Sequence, residues 1–146
     1  MRVDRTICVP MAPHAKQRAR TTKTHTYTPD ATKDWEQAFA WHAKAILGNT
    51  YIDEPVRVDI VFALKRPQKI PKSAPRGLTW APVRPDRDNL EKAVLDALKG
   101  HWRDDSLVVA GETLKCYAGV NQAPFVWVRI RSVELDAQAE WERLGR

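Results

Sequence analysis

Asp86 and Asp88 stand one residue apart in RPDRDNLEKAVLDALKG, residues 84–100, and the following HWRDDS adds Asp104 and Asp105. Carboxylates gathered in one cleft repel, and each raises the pKa of the others. A divalent cation removes that conflict, and hard oxygen donors suit Mg²⁺, with Mn²⁺ able to substitute. No cluster of Cys and His offers a zinc site. An EF-hand is excluded because the stretch lacks the required Gly and puts Leu90 at a ligand position. Lys92 follows Asp88 by one helical turn and can share a site with it. Carboxylates on a metal beside a lysine are the parts that phosphodiester hydrolysis uses: the ion activates water and the lysine offsets charge developing on the phosphate. A plainer reading exists for one acid, since Asp88 with Glu91 three residues on matches a capping box. Spacing does not choose between Asp104 and Asp105. It brings either back to the first pair only if the reversal GHWR is tight.

These residues need a scaffold, and the chain predicts one. A β-branched run over 2–9 reads as a strand, and residues 12–30 read as a loop or irregular hairpin arm. Thr28-Pro29-Asp30 starts a helix with Pro in its first turn. Trp35, Ala38, Phe39, His42, Ala45 and Ile46 form its buried stripe, Gly48 closes it, and His42 is a core histidine rather than a ligand. Residues 55–64 alternate as a strand with Val56, Val58, Ile60 and Phe62 inward. Residues 65–85 carry five prolines and no periodicity, so they form a long loop of the kind that is usually functional. A helix over about 88–99 buries Leu90, Ala93, Val94, Ala97 and Leu98, leaving Asp88, Lys92, Leu95 and Lys99 on the other face. Leu95 there suggests a subunit interface. Two strands, SLVVAGETLKCYA and PFVWVRIRSVE, and a helix over about 134–144 complete the order β-α-β-α-β-β-α. This is an α+β fold, one domain over 1–146, with a mixed sheet and packed helices.

Composition bounds the partners. The chain has 146 residues, 24 Lys and Arg against 18 Asp and Glu, and a formal net charge of +6. The excess is concentrated. Residues 1–29 hold six Lys and Arg against Asp4 alone, and residues 65–84 hold six against no acid. Two such segments suggest a polyanion, with Lys16, Arg18, Arg20, Lys69, Lys72, Arg76 and Arg84 as candidate phosphate contacts for DNA. No run of about 18 apolar residues exists, so no membrane span is expected. The N-terminus lacks the apolar core of a signal peptide. Cys8 and Cys116 read as buried, reduced thiols, and the expected compartment is cytoplasmic.

Residues 84–115 resemble a known signature. The RusA-type Holliday junction resolvases share D-x-D-N-L-x-K-x-x-x-D-A-L, a short linker, D-D, and a lysine in the next strand. Asp86, Asp88, Asn89, Leu90, Lys92, Asp96, Ala97, Leu98, Asp104, Asp105 and Lys115 stand at those places. Upstream, PHAKQRAR and TYTP resemble the family's P-x-x-K-x-R-x-R and Y-T-P, so the likeness spans about residues 5–132. The resemblance implies that Asp86, Asp88 and Asp105 bind metal and that Lys92 is the essential lysine. It also implies a RusA-like homodimer that nicks branched DNA, the four-way junction, symmetrically in a Mg²⁺-dependent reaction serving recombination and repair. Asp96, although it matches, is expected to form a salt bridge or an intersubunit contact. Pro85 departs from the hydrophobic or basic residue the family often has before the first Asp. The rival expectations are a branched-DNA-binding protein that does not cleave and a metal-dependent phosphatase acting on small phosphates.

Overall fold

The computed structural model describes residues 2–17, 19–27, 29–134 and 136–145, with Arg20 described by its backbone. Its centre is one mixed sheet. Strand β1 (Asp4–Val9) pairs antiparallel with β8 (Phe125–Ser132), and β8 pairs antiparallel with the long central β4 (Val56–Leu64). On its other side β4 runs parallel to β6 (Val108–Ala110) and β7 (Thr113–Tyr117), and β5 (Thr79–Trp80) closes the edge against β7. The parallel pairing follows from the crossover: α2 (Arg87–Ala97) carries the chain back between β4 and β6. Helix α1 (Asp30–Leu47) lies beside α2, a two-residue hairpin of β2 (Arg20–Thr21) and β3 (Thr26–Tyr27) precedes it, and α3 (Ala137–Arg143) ends the chain. The architecture is the expected α+β domain, and among the described residues no helix is long and apolar enough to cross a membrane.

Period-two alternation on β4 and β8 sends Val56, Val58, Ile60 and Phe62 and Val126, Val128 and Ile130 to one face, where they meet Phe39 of α1 and Leu90 and Val94 of α2. Each such side chain, fully buried, stabilises the fold by roughly 1.5–3 kcal/mol. The opposite face is not covered by α1 or α2, and only α3 reaches its edge, where Glu140 lies 4.0 Å from Arg57. It carries a charge row through Asp4, Arg129, Arg131 and Asp59, then a small apolar cluster of Ala63, Cys116 and Ala118 with Val61 and Phe125.

Four details correct the sequence reading. The buried stripe of α1 is Thr32, Trp35, Phe39, Ala43 and Leu47, whereas Ala38, Ala45 and Ile46 face solvent and His42 is only half-buried. The stripe is rotated because Trp35 turns toward the N-terminal loop, donating its indole N–H to the Ala12 carbonyl at 2.9 Å. Pro29 is the N-cap of α1 rather than part of its first turn, and Thr28 lies outside the described residues. SLVVAGETLKCYA is two strands, not one. At Gly111 φ is 154°, and a Cβ there would lie 1.9 Å from the Val58 carbonyl oxygen, so the break requires glycine. Finally, Cys8 is exposed on the uncovered face opposite Trp127. Only Cys116 is the buried thiol expected, and its burial pushes its pKa up.

Candidate functional site

Helix α2 begins two residues earlier than its capping-box motif suggests. Asp86 is the N-cap, by backbone geometry, and its side chain caps nothing. Asp88 therefore falls inside the first turn, where its Oδ1 accepts only from the N–H of Asn89, at 3.0 Å. The capping box is not formed, and Glu91 pairs instead with Arg87 at 3.9 Å. Both carboxylates are exposed at the N-terminal end of the helix, and neither has an ion-pair partner among the described residues.

Three basic residues fix this end, two through their side chains and one through its backbone. Lys115, on the helix-facing side of β7 beside Phe62, donates its ammonium to the carbonyls of Val83 and Pro85, the latter at 2.8 Å. Arg87 donates to the Thr113 carbonyl at 3.3 Å. Lys16 binds through its backbone: its N–H donates to the Asn89 carbonyl at 2.9 Å. The side chain of Lys16, half-buried, then bridges Glu36 of α1 at 2.7 Å and Asp96 of α2 at 3.1 Å. The role of Lys16 is thus to clamp the loop of residues 11–17 and two helices together, not to offer a free charge to phosphate. No sequence pattern revealed this, because its partners are 20 and 80 residues away.

Asp96 is the buried counterpart of Asp86 and Asp88. Its side chain is 6% exposed and gathers Lys16, Lys99 at 3.3 Å and Lys92 at 3.6 Å. Burial pushes its carboxyl pKa up, but the Lys16 hydrogen bond and the three ammonium charges outweigh that and hold it below the usual aspartate range. This is the expected salt bridge, extended to three cations. Lys92 itself, one turn beyond Asp88, is largely exposed while its ammonium rests against Asp96.

Asp104 and Asp105 lie beyond the other end of α2, an 11-residue helix about 16 Å long. The reversal is pinned to the segment before β4: Ile52 N–H donates to His101 O at 2.7 Å, Arg103 N–H to Ile52 O at 3.2 Å, and His101 Nδ1 lies 3.1 Å from Thr50 O. Asp104 caps the 3-10 turn Asp105–Leu107 by accepting from Ser106 N–H at 2.8 Å, which holds its pKa below the usual range. Asp105 accepts from the indole N–H of the buried Trp102, at 2.8 Å. The two neighbouring acids thus separate by partner: one is a cap, the other a carboxylate oriented by a core tryptophan. Within one chain Asp105 is not brought to Asp86 and Asp88, and no group of three His, Cys, Asp or Glu among the described residues is placed to hold a metal ion.

Of the other candidate contacts, Lys69, Lys72, Arg76 and Arg84 are exposed on the 65–85 segment with no ion-pair partner among the described residues. Arg18 and the side chain of Arg20 lie outside the described residues. The segment is ordered by Arg66, whose guanidinium donates to the carbonyls of Pro75, Gly77 and Ala118 at 2.8, 3.1 and 3.3 Å.

A small α+β domain with an Asp-x-Asp-Asn turn at a helix start, buttressed by lysines and edged by an acid-free basic segment, belongs to the class of proteins that process nucleic acids. Residues 9–131 match the family model for endodeoxyribonuclease RusA, so the chain belongs to the RusA endodeoxyribonuclease family, nucleases of Holliday junctions. A Bacillus subtilis (strain 168) protein described as uncharacterized protein YqaN is 33% identical over 121 residues, covering 78% of this chain and 83% of the relative.

Proposed function

We propose that this chain is a Mg²⁺-dependent, structure-selective endodeoxyribonuclease that resolves four-way DNA junctions by paired symmetric nicks, working as a homodimer. The observation that carries the proposal is the state of Asp86 and Asp88. Both are exposed on a helix end fixed by Lys115, Arg87 and Lys16, and neither is neutralised by a base or occupied as a cap. Their donor chemistry fits Mg²⁺, which takes one or two carboxylates and keeps its other positions for water and phosphate oxygens.

Asp86 and Asp88 would hold the ion, which when bound supplies an activated water and neutralises charge on the scissile phosphate. The chain's own groups do the rest. Lys92, on the same helix face one turn on, offers its exposed ammonium to charge developing on the phosphate, and Asp96 orients it. Lys69, Lys72, Arg76 and Arg84 grip neighbouring phosphates without reading sequence. Asp105 would be the third ligand; since one chain does not bring it to Asp86 and Asp88, it would have to come from a second copy or from movement of the 98–104 reversal. Two copies are required in any case for two symmetric nicks.

The direct test is a synthetic four-way junction incubated with Mg²⁺ or with EDTA. Paired nicks in opposed strands with Mg²⁺, and none with EDTA, are expected. Junction binding without nicking under any divalent ion would instead favour a non-cleaving branched-DNA-binding protein. Hydrolysis of mononucleotides with an intact junction would favour a phosphatase.

A further inference from the structure

Trp80 is 70% exposed, and Leu78 and Val83 are more than 40% exposed, three large apolar groups within six residues. They project from the 65–85 segment, which carries no acid before Asp86. The segment is not a loose loop whose apolar groups are exposed by default. Besides the Arg66 bonds, Thr79 and Trp80 pair with Tyr117 and Cys116, Ala81 N–H donates to Lys115 O at 3.3 Å, and Val120 N–H donates to Arg76 O at 2.9 Å. Trp80 is therefore held on the sheet edge, on the side of Cys116 and away from the helices. Beside it an open apolar groove of about 340 Å³ is lined by Pro75, Leu78, Thr79, Trp80, Leu114 and Cys116.

We propose that this groove binds an unpaired nucleobase of the DNA, stacked on Trp80, while Lys69, Lys72, Arg76 and Arg84 hold the adjoining phosphates. The proposal rests on the nucleic-acid reading above and adds to it a base site distinct from the acidic site. The 65–85 segment that supplies Pro75, Leu78, Thr79 and Trp80 to the groove carries only positive charge, and its exposed Lys69, Lys72, Arg76 and Arg84 lack ion-pair partners among the described residues. A second copy of the chain on this patch would set like charges face to face, whereas a single strand presents a flat apolar ring on an anionic backbone. A base inside a duplex is stacked between its neighbours and cannot reach the indole, so the site selects unpaired bases, such as those exposed where a branch point opens.

The groove and the acids share one support. Leu114 lines the groove, and the next residue, Lys115, faces the other way and holds the carbonyls of Val83 and Pro85. Six residues separate Trp80 from Asp86, a span of no more than about 22 Å. Trp80 thereby acts as a positioning residue, setting where a strand enters relative to Asp86 and Asp88.

The test uses fluorescence anisotropy in EDTA with three labelled probes: a thymidine oligonucleotide, a four-way junction and a blunt duplex. Stacking of one base on an aromatic ring predicts that Trp80→Ala weakens binding of the single strand and the junction about tenfold or more, while leaving the duplex unchanged. Trp80→Phe should recover most of the loss, and thermal melting and sedimentation should stay as in the wild type. Unchanged binding of all three probes by Trp80→Ala, or equal loss on all three, overturns the proposal. So does a changed sedimentation coefficient, which would make Trp80 a subunit contact. The two readings fail separately. Wild-type protein that binds single strands through Trp80 but nicks no junction sinks the nuclease reading alone. Wild-type protein that nicks, with Trp80→Ala binding intact, sinks the stacking site alone.

Discussion

Helix α2 carries two kinds of aspartate, and the contrast between them separates scaffold from site. Asp96 near the C-terminal end is almost fully buried and surrounded by Lys16, Lys92 and Lys99. Asp86 and Asp88 at the N-terminal end are exposed, with a single local hydrogen bond between them, that from Asn89. A carboxylate that folding has already surrounded with cations contributes to holding elements together. One that folding leaves open, on a backbone fixed from several sides, remains free to meet a ligand. The uncovered face of the sheet repeats the first kind. Burial pushes Asp59 up, but the Glu112 N–H, Arg131 and Arg57 more than offset it, so its pKa is lowered and its role is structural.

The largest separation between the two kinds should come from replacing each by its amide. Asp88→Asn keeps the shape of the helix start and is expected to lower nicking of a four-way junction more than about 1,000-fold, since several kcal/mol of transition-state stabilisation goes with a lost metal ligand. Junction binding in EDTA and the melting temperature should be close to wild type. Nicking at the wild-type rate by this variant would mean that the site lies elsewhere.

Asp96→Asn should do the reverse in kind, with stability the main loss. It leaves Lys16 half-buried with Glu36 alone, and breaking such a pair costs about 3 kcal/mol, or roughly 6–12 °C in melting temperature for a chain of this length. Acid titration sharpens the comparison. The folded pKa of Asp96 is below its unfolded value of about 3.9, so its contribution is fully present above that value and is lost as pH falls through the folded pKa. Wild-type urea stability should drop below about pH 4 more steeply than that of Asp96→Asn. Parallel curves would remove Asp96 from the stabilising network.

Much of this was legible in the chain because it is local. The apolar stripe of α2, the alternation on β4 and β8, and the D-x-D-N and D-D spacings are all short-range patterns, and the structure keeps them. What could not be read depends on distant partners. The rotation of α1 is set by Trp35 reaching Ala12, and the division of SLVVAGETLKCYA by the closeness of Val58 to Gly111. Lys16 resembled a phosphate contact because its neighbours in sequence are basic, while its neighbours in space are acids. The difference in surroundings between Asp104 and Asp105, hidden from spacing alone, becomes visible only through Ser106 and Trp102. Sequence adjacency made the four acids look like one cluster, but the length of α2 and the pinned reversal keep the two pairs apart in a single chain.

Lys115 offers the finest test, because it belongs to neither kind of residue. Its ammonium touches no acid in the candidate site; it fixes two carbonyls just ahead of Asp86. If backbone fixation is what distinguishes Asp86 and Asp88 from ordinary surface acids, Lys115→Met should loosen their placement without removing either. The expected result is a fall in nicking rate of about tenfold, since small misplacements of reacting groups carry penalties of that order or more. The Mg²⁺ concentration for half-maximal rate should rise, while junction affinity in EDTA stays the same. A loss of junction affinity with an unchanged metal requirement would instead make Lys115 a phosphate contact. A wild-type profile on both measures would show that the helix start holds its acids in place without the strand behind it.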